Sequence, residues 1–479
     1  MKLIDGKALL LKLRNPSRVT KTIPSSIQVN KHEVKVNLGI DEAHTLKDLG
    51  IKSPSPIETR YQWTGKHKPF AHQKTTSAFL TMNRKAFCFN EQGTGKTASA
   101  IWAADFLMRQ KKAYGTPTKR RAIVEQGADF VIINYDGVDI VSNSLASGGF
   151  DIIIVDEATH YKNTRTKRWK TLCRLVNDKT WLWLMTGTPA AQSPLDAYGL
   201  AKLINPDAVP RFYGSFRDMV MTKITQFRWV VKETATNTVH RVLQPAIRFT
   251  KEECLDLPPM VYVKRKVELT RQQLKYYQLL KKRMTMTVSG SEVSAVNAAV
   301  VMNKLLQISA GGLYTDEGDA LEFDISHRYK VLREVIDESS QKVLIFVPYK
   351  HAIDILTNKL RNDGIATEVI RGDVPVAKRT DIFKRFQEQD NPRVLVIQPR
   401  SAAHGVTLTA ANTVVWWGPT SSLETYAQAN ARVHRSGQMH KCTVVQLQGS
   451  PVERRIYTLL DNKIDVHTKM IDLYKELLD

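Results

Sequence analysis

The chain has 479 residues, of which 42% are hydrophobic and 24% are charged, as in an ordinary globular protein. A formal net charge of +23 favours a polyanionic partner, the alternative being a merely soluble basic surface. Four cysteines without CxxC spacing argue against a zinc knuckle or a disulfide framework, and no apolar run reaches the ~18 residues of a membrane span, so we expect a soluble, cytoplasmic protein.

The first part of the chain divides into an accessory region and an α/β region. Residues 1–65 carry short apolar pieces without a chemical motif and predict a small N-terminal accessory domain. From residue 66, apolar strands alternate with helical stretches, which predicts a domain over 66–255. Its near-continuous apolar runs are typical of strands buried on both faces of a parallel sheet. The predicted strands are AFCFN (86–90), FVIINY (130–135), FDIIIVDE (150–157) and WLWLMTG (181–187).

The segment EQGTGKT directly follows the first predicted strand and has the composition of a phosphate-binding loop. Gly93 and Gly95 let the backbone approach phosphates, Lys96 can reach the terminal phosphates, and the Thr97 hydroxyl can hold Mg²⁺. The predicted nucleotide-binding residues of this loop are Glu91, Gly93, Thr94, Gly95, Lys96 and Thr97.

An acidic pair, Asp156 and Glu157, follows the predicted strand at 150–157. Asp156 is suited to holding the magnesium ion, commonly through water, and Glu157 to orienting or deprotonating an attacking water. Adjacent acids are also common on surfaces, but their place after a buried strand favours the functional interpretation.

The second part of the chain repeats the α/β pattern. Residues 195–250 predict a helical insertion, and Pro258-Pro259 predict a hinge ahead of a domain over 256–479. A basic helix is predicted at 271–283. Strands are predicted at 342–347, 366–372, 393–399, 413–419 and 442–448. The fold class is therefore α/β, with two doubly wound parallel-sheet domains in tandem.

The segment QANARVHRSGQ (428–438) places Arg432 and Arg435 three residues apart, on one face if the segment is helical. Two such cations can reach the charge of a γ-phosphate. A static nucleotide binder needs only the phosphate loop, whereas a nucleotide motor needs both segments, so the sequence predicts a motor.

The ordered motifs resemble those of the Swi/Snf-like ATPases of helicase superfamily two, in a compact form known from bacteria and bacteriophages. The resemblance extends from about residue 66 to residue 459. It is carried by EQGTGKT, VDEATHYKN, LMTGTPAAQSP, RFTKEECLDLPP, KVLIFVPYKHAIDIL, SAAHGVTLTAANTVV and QANARVHRSGQ. It implies RecA-like domains, ATP and Mg²⁺ as cofactors, and DNA as the partner.

The resemblance also implies roles for individual residues. Gln73 matches the glutamine that recognises adenine, and Phe70 lies nearby as a possible packing partner. Thr186–Thr188 match a motif that couples the state of the bound nucleotide to the bound nucleic acid. Gly405 matches a glycine that lets the backbone approach the γ-phosphate. Gln428, Arg432 and Arg435 match the last motif, with the arginines as fingers.

The chain departs from the family pattern at two places. His160 lies one position later than the family histidine. After Gln110 the chain continues as KKAYGTPTKRR (111–121), where the family has a strand and a Pro-x-Ser type motif. Roughly one βα unit, about 30 residues, is expected to be absent. We expect this to leave a groove beside the phosphate-loop helix, to expose Ile101 and Leu107, and to weaken DNA gripping.

The leading hypothesis is an ATP-driven translocase on double-stranded DNA, acting without sequence specificity, as a monomer, in replication, repair or recombination. The expected DNA contacts are the basic stretches 162–174 and 271–283, whereas Trp416 and Trp417 are expected in the core. One alternative is a strand-separating or strand-annealing helicase, for which no wedge-like hairpin is evident. Another is a non-catalytic scaffold that binds DNA or a polymerase. Protein partners stay unidentified.

Overall fold

The computed structural model describes residues 1–63, 65, 68–111, 130–140, 142–147, 149–190, 193–225, 229–288, 295–314, 320–403 and 406–462. The chain divides into two compact units, Met1–Cys254 and Leu255–Asp479. Among the described residues no helix is long and apolar enough to cross a membrane.

The N-terminal region is a small antiparallel sheet with helices. Within residues 1–63 the strands lie in the order β1-β2-β4-β3 and bury Leu9, Leu11, Val34 and Val36 against the helices. These elements are β1 Lys2–Ile4, β2 Ala8–Lys12, α1 Ser17–Thr22, β3 Ile27–Gln28, β4 Glu33–Asn37, α2 Ile40–Asp48 and α3 Pro56–Arg60.

The first α/β part contains a parallel sheet covered on both faces. Its elements are α4 Ala71–Thr81, β5 Lys85–Cys88, α5 Lys96–Lys111, α6 Tyr135–Ile140, α7 Ser142–Ser147, β6 Ile152–Val155, α8 Lys167–Leu175 and β7 Trp181–Met185. In the described chain the strand order is β10-β5-β7-β6, where β10 is Ala246–Ile247. Alternate side chains of β7 separate to opposite faces: Trp183 and Met185 pack towards α5, whereas Leu182 and Leu184 pack on the other side.

The prediction of a strand at 130–135 is wrong. Residues 130–134 have no regular structure, and α6 begins at Tyr135. Ile132 is almost wholly exposed, so this apolar run lacks the two buried faces that a central parallel strand requires. The expected loss of a βα unit falls largely on residues 112–129, which lie outside the described residues. Of the two residues expected to be exposed, Ile101 is exposed, but Leu107 is buried among Ala103, Trp183 and other residues of the α5 face of the sheet.

The segment predicted as a helical insertion contains both helices and a hairpin. It comprises α9 Ala197–Ile204, α10 Tyr213–Val220, β8 Met221–Lys223, β9 Trp229–Val231, α11 Ala235–Val242, β10 and α12 Lys251–Cys254. β8 and β9 pair antiparallel as a hairpin that was not among the predicted strands. Its strands have only three residues each and no Asn-Gly turn signal, which explains why the sequence pattern missed it.

The second unit contains a larger parallel sheet, and all five strands predicted there are confirmed. Among the described residues the strand order is β11-β18-β17-β14-β16-β15. The strands of the unit are β11 Met260–Lys266, β12 Gly312–Tyr314, β13 Ala320–Glu322, β14 Lys342–Phe346, β15 Thr367–Ile370, β16 Val394–Ile397, β17 Ala411–Trp416 and β18 Cys442–Gln448. Its helices are α13 Arg271–Val288, α14 Ala295–Ala310, α15 Ser326–Glu338, α16 Lys350–Asn362, α17 Val376–Glu388, α18 Leu423–Asn430 and α19 Pro451–Asp461.

Apolar cores cover both faces of this second sheet. Phe346 and Trp416 pack on one face with α17 and α19, and Ile345 and Trp417 pack on the other with α15 and α16. Both tryptophans are fully buried, which confirms their predicted place in the core. The α/β fold class with parallel sheets is therefore confirmed.

A buried ion pair connects three elements of the second unit. Arg328 on α15 donates to the Glu453 carboxylate at 2.7 and 2.8 Å and also to the Trp417 carbonyl oxygen. Glu453 accepts from the backbone N–H groups of Gly449 and Ser450 at the start of α19. Both charged side chains are buried, so removing either one would leave an uncompensated buried charge.

Candidate nucleotide-binding site

The phosphate loop lies between β5 and α5, at the carboxyl edge of the first parallel sheet. Gly93 and Gly95 have φ values of 88° and 82°, a region that favours glycine. A Cβ on Gly95 would lie 2.1 Å from Nε2 of Gln73, so a side chain there would displace the Gln73 amide. The loop then enters α5 at Lys96, where the first N–H groups of a helix favour an anion.

Lys96 is the charged group of the loop, and its side chain is only 7% exposed. Its Nζ atom donates to the Glu91 carbonyl oxygen at 3.3 Å. A largely buried ammonium group bonded to a neutral carbonyl is not neutralised, so an anionic ligand would be attracted to it.

The acidic pair lies beside the start of α5. Thr97 Oγ1 donates to Asp156 Oδ2 at 2.8 Å, and the Glu157 N–H group donates to Asp156 Oδ1 at 3.1 Å. Glu157 has a φ of 51°, a left-handed conformation that is unusual for a residue with a side chain and is concentrated at functional sites. A hydroxyl and a carboxylate in contact are suitable protein ligands for Mg²⁺, which takes its remaining ligands from phosphates and water.

Gln73 is attached to both the loop and its own helix. Its Nε2 donates to the Thr94 carbonyl oxygen at 3.0 Å, and its Oε1 accepts from the Phe70 N–H group at 3.0 Å. The Gln73 side chain is buried. Phe70 is exposed and stacks on His72 at 5.8 Å between ring centroids, so a planar base could pack against it.

A segment far along the chain holds the other end of the loop. The Glu91 N–H group donates to the Phe249 carbonyl oxygen at 2.9 Å, and the Glu91 carboxylate accepts from the Lys251 N–H group at 3.2 Å. Asn90 Oδ1 accepts from the Phe249 N–H group at 3.0 Å. The loop is therefore held by the residues that follow β10.

Three further residues, which the sequence analysis did not predict, support the site. His72 Nε2 lies 2.8 Å from the Thr94 carbonyl oxygen, and Asn90 Nδ2 donates to Thr76. The Tyr135 hydroxyl donates to the Glu157 carbonyl oxygen at 3.3 Å. Burial, followed by the nearby carboxylates, raises the pKa of Tyr135, which keeps the hydroxyl protonated as a donor. The apolar run before Tyr135 gave no signal of this contact, because it predicted a strand.

His160, the displaced histidine, packs against Tyr135 with 4.4 Å between ring centroids. Nearby, Thr186 is buried, and its Oγ1 atom accepts from the Thr188 N–H group at 3.1 Å. A Cβ on Gly187 would contact Gln92 in the phosphate loop at 3.4 Å. The Thr186–Thr188 segment thus lies beside the loop.

The residues of the last motif lie in the second unit. Helix α18 ends at Asn430, so Arg432 and Arg435 lie outside it. The prediction that they share one helical face therefore does not apply. Arg435 Nη1 donates to the Val406 carbonyl oxygen at 3.2 Å, and Gln428 Nε2 donates to Glu424 at 3.2 Å. Burial lowers the pKa of Arg435, although a guanidinium stays charged in proteins. Gly405 lies outside the described residues.

The two predicted basic stretches are only partly free for a ligand. Lys162 pairs with Asp196 at 3.2 Å, and Trp169 donates to the Gly199 carbonyl oxygen. The exposed cations of α8 are Lys167, Lys170 and Arg174, which follow the helical repeat along one face. On α13 the exposed cations include Arg271, Lys275 and Lys282.

Comparison with known proteins identifies two domains in the chain. Residues 113–310 match the SNF2-related domain, and residues 327–437 match the helicase conserved C-terminal domain. The first match begins after the phosphate loop. Among solved structures, the Sulfolobus solfataricus SWI2/SNF2 ATPase core in complex with dsDNA is 19% identical, with a TM-score of 0.37 over 87% of this chain and 98% of that chain.

Curated relatives of the chain are larger proteins. The CHD3-type chromatin-remodeling factor PICKLE of Arabidopsis thaliana is 23% identical over 86% of this chain and 30% of its own length. The nuclear protein STH1/NPS1 of Saccharomyces cerevisiae is 24% identical over 75% of this chain and 29% of its own length. The chain thus spans about a third of the length of these relatives. With the two domain matches, they show that the chain belongs to the Swi/Snf-like ATPases of helicase superfamily two.

Proposed function

We propose that the chain hydrolyses ATP with Mg²⁺ and uses the cycle to move along double-stranded DNA without sequence preference. The observation that carries this proposal is the meeting of buried Lys96, the Thr97–Asp156 contact and Glu157 at one edge of the first sheet. The names of two relatives, a chromatin-remodeling factor and a chromodomain-helicase-DNA-binding protein, support DNA as the partner.

Each residue of the loop has a task that its position allows. The bound nucleotide supplies a phosphoanhydride bond, whose cleavage by water drives the motor. Lys96 offsets phosphate charge, Thr97 and Asp156 hold the cation, and Glu157 orients a water or accepts its proton. Gln73 and Phe70 contact the base. The backbone of Glu157 is left-handed, and its N–H group donates to the Asp156 carboxylate.

The last motif, residues 428–438, supplies the remaining cations. Arg432 and Arg435 stabilise charge that develops on the transferred phosphoryl group, with Gln428 beside them. If either arginine acts as a finger, its loss lowers turnover by about 10³-fold or more. Gly405 belongs to the same proposed set.

Movement requires a grip on the duplex. The exposed cations of α8 and α13 contact phosphates, which position the protein without reading sequence. The net charge of +23 supports such a grip. We place the activity in replication, repair or recombination and expect a monomer.

The proposal is tested by ATP hydrolysis of the whole chain with no nucleic acid, with single strands and with blunt duplex. Lys96→Ala is the site variant, and Lys52→Ala, an exposed lysine of the same unit, is the matched control. We expect strong stimulation by duplex that is lost in Lys96→Ala and retained in Lys52→Ala. If the protein is folded but shows no ATP hydrolysis that Lys96→Ala abolishes, the result would favour the scaffold alternative.

A further inference from the structure

The N-terminal sheet has one face in its core and one face turned away from it. Leu9 and Val36 are cross-strand partners and pack inward with Val19 of α1 and Leu46 of α2. Side chains alternate along a strand, so Leu10 and its cross-strand partners face the other way. The helices α1 and α2 thus cover the inner face.

The strand register places a row of side chains across the other face. This row crosses all four strands and consists of the successive Cα partners Lys2, Leu10, Lys35 and Ile27. Lys12 lies two residues after Leu10 on β2, and therefore on the same face. The three lysines are exposed, and Ile27 is 62% exposed. These five residues are here called the outer face.

The sequence around the outer face has a large excess of cations. Residues 1–37 contain only two acids, Asp5 and Glu33, against the cations Lys2, Lys7, Lys12, Arg14, Arg18, Lys21, Lys31 and Lys35. Glu33 is the cross-strand partner of Lys12, but its carboxylate accepts from the Asn30 side chain at 2.6 Å. Residues 38–63, by contrast, contain four acids against three cations. The first part of this region therefore suits a polyanion.

Hydrogen bonds attach the sheet to the helix that follows the phosphate loop. Arg60 Nη2 donates to the Lys7 carbonyl oxygen at 2.8 Å, in the turn between β1 and β2. The next residue, Tyr61, donates from its hydroxyl to Asp105 of α5 at 2.6 Å. Because α5 begins at the phosphate loop, a ligand on the outer face would be attached to the element that carries the nucleotide site.

The form of the outer face favours a phosphate backbone over a protein partner. The edge strands β1 and β3 have only three and two residues, which gives an added strand little to pair with. Leu10 lies between Lys2 and Lys35 in the row, so cations interrupt the apolar area. A protein partner instead requires an apolar cluster at the centre of the surface.

The spacing of the lysines also suits a row of phosphates. Lys2 and Lys35 are separated by one strand, which places their backbones about 10 Å apart. Lys12 lies about 7 Å along β2 from the row. Since a duplex carries a charge every ~1.7 Å of its axis, each lysine can neutralise a different phosphate.

We propose that the outer face binds the phosphate backbone of duplex DNA, in addition to the cations of α8 and α13. This inference rests on the proposed function, which takes DNA as the partner, and gives the N-terminal region a binding site. Lys2, Lys12 and Lys35 each contact a phosphate, and the aliphatic side chains of Leu10 and Ile27 pack against the sugars. Such contacts orient the duplex without reading its sequence.

The test measures the affinity of the whole chain for a labelled blunt duplex, without nucleotide, across a salt series. Lys2→Gln/Lys12→Gln/Lys35→Gln removes three charges from the outer face. The matched control Arg18→Gln/Lys21→Gln/Lys52→Gln removes three charges from exposed residues of the same region, two of them on α1. We expect the slope of log K against log salt to lose about 0.9 in magnitude for each of the three phosphates in the first variant only.

Two further variants make the result independent of the fold of the first. Lys2→Arg/Lys12→Arg/Lys35→Arg keeps the charge and should keep the slope. Ile27→Asp leaves every lysine in place but adds an anion at the end of the row, so it should weaken duplex binding. Urea unfolding of each variant reports on its stability. Unchanged duplex affinity in Ile27→Asp and in the first variant would overturn the inference.

Other outcomes separate the outer face from the proposed function. Equal losses in the first variant and its control would reflect net charge alone and overturn the inference, with the motor unaffected. Absence of duplex binding by the natural chain would contradict both the inference and the motor. Binding of poly-L-glutamate that the first variant loses, with its duplex affinity unchanged, would overturn the inference and assign the outer face to an acidic protein segment.

Discussion

Gly95 shows how one position can serve both the backbone and a neighbouring side chain. Its φ of 82° favours glycine, and its missing side chain leaves the space that the Gln73 amide fills. Gln73 in turn bonds the Thr94 carbonyl oxygen and the start of α4. The loop shape and the candidate base-contacting residue therefore depend on each other.

We expect Gly95→Ala to destabilise the protein and to weaken ATP binding. The left-handed backbone alone costs about 1–2 kcal/mol, and the overlap with Gln73 adds to it. Gly364→Ala is the matched control, because Gly364 has a φ of 75° and nothing within 4 Å of an added Cβ. Urea unfolding and nucleotide titration measure the two effects. Equal losses of stability in both variants, with ATP affinity retained in Gly95→Ala, would show that the Gln73 contact is unimportant.

Tyr135 supports the acidic pair through its hydroxyl. Tyr135→Phe removes the bond to the Glu157 carbonyl oxygen and retains the ring against His160. We expect a moderate fall in kcat for ATP hydrolysis with little change in KM, since the substitution loosens Glu157 without touching the phosphate loop. An unchanged kcat would show that β6 alone holds Glu157 in place.

At the scale of elements, burial decides how well the sequence predicts the structure. Strands β14, β16, β17 and β18 were predictable because each is apolar and covered on both faces, as Val343 and Leu344 are. Strand β11, with alternating exposed side chains, was not predicted. The apolar run at 130–135 has the same composition but does not lie in a sheet covered on both faces, so the strand prediction failed there. The hairpin was missed because its side chains are exposed and leave no alternating pattern. The glycine loop was recognisable from local composition, whereas its anchor at Phe249 is a contact between distant residues that no local pattern contains.

Breaking the buried ion pair between α15 and α19 should strongly destabilise the second unit. Arg328→Met leaves the buried Glu453 carboxylate without its cation, which costs about 3–5 kcal/mol. Arg333→Met is the control on the same helix, because the pair of Arg333 with Asp337 is partly exposed and worth about 0–1 kcal/mol. Urea unfolding followed by circular dichroism gives both values. A small loss in Arg328→Met would mean that Glu453 keeps enough bonds from the backbone of α19.

For the whole molecule, the excess of cations is the property that governs encounter with DNA. Each phosphate neutralised releases counterions, so duplex affinity should fall steeply with salt. The cations are spread over both units, as the exposed rows on α8 and α13 show. The total charge could be read from the composition. Which cations are available to bind DNA could not, because some are paired within the protein, as Lys162 is with Asp196.

We expect Lys167→Ala/Lys170→Ala/Arg174→Ala to reduce the magnitude of the slope of log K against log salt by about 0.9 for each phosphate that the variant no longer neutralises. Lys31→Ala/Lys52→Ala, which removes exposed lysines of the N-terminal region, should leave the slope unchanged. Fluorescence anisotropy with a labelled duplex across a salt series measures the slope. An unchanged slope in the triple variant would place the grip elsewhere, with α13 as the next candidate.

The bond between Lys251 and Glu91 spans 160 residues of chain, and it has a consequence for how the protein is made. A ribosome adds about 5–20 residues per second, so roughly 10–30 s separate the synthesis of the phosphate loop from that of its anchor. During this interval β5 lacks its neighbour β10, and the nascent loop has no fixed shape. The nucleotide pocket is therefore completed late, after the hairpin and α11 have emerged, and a chain stalled before residue 245 should bind no ATP.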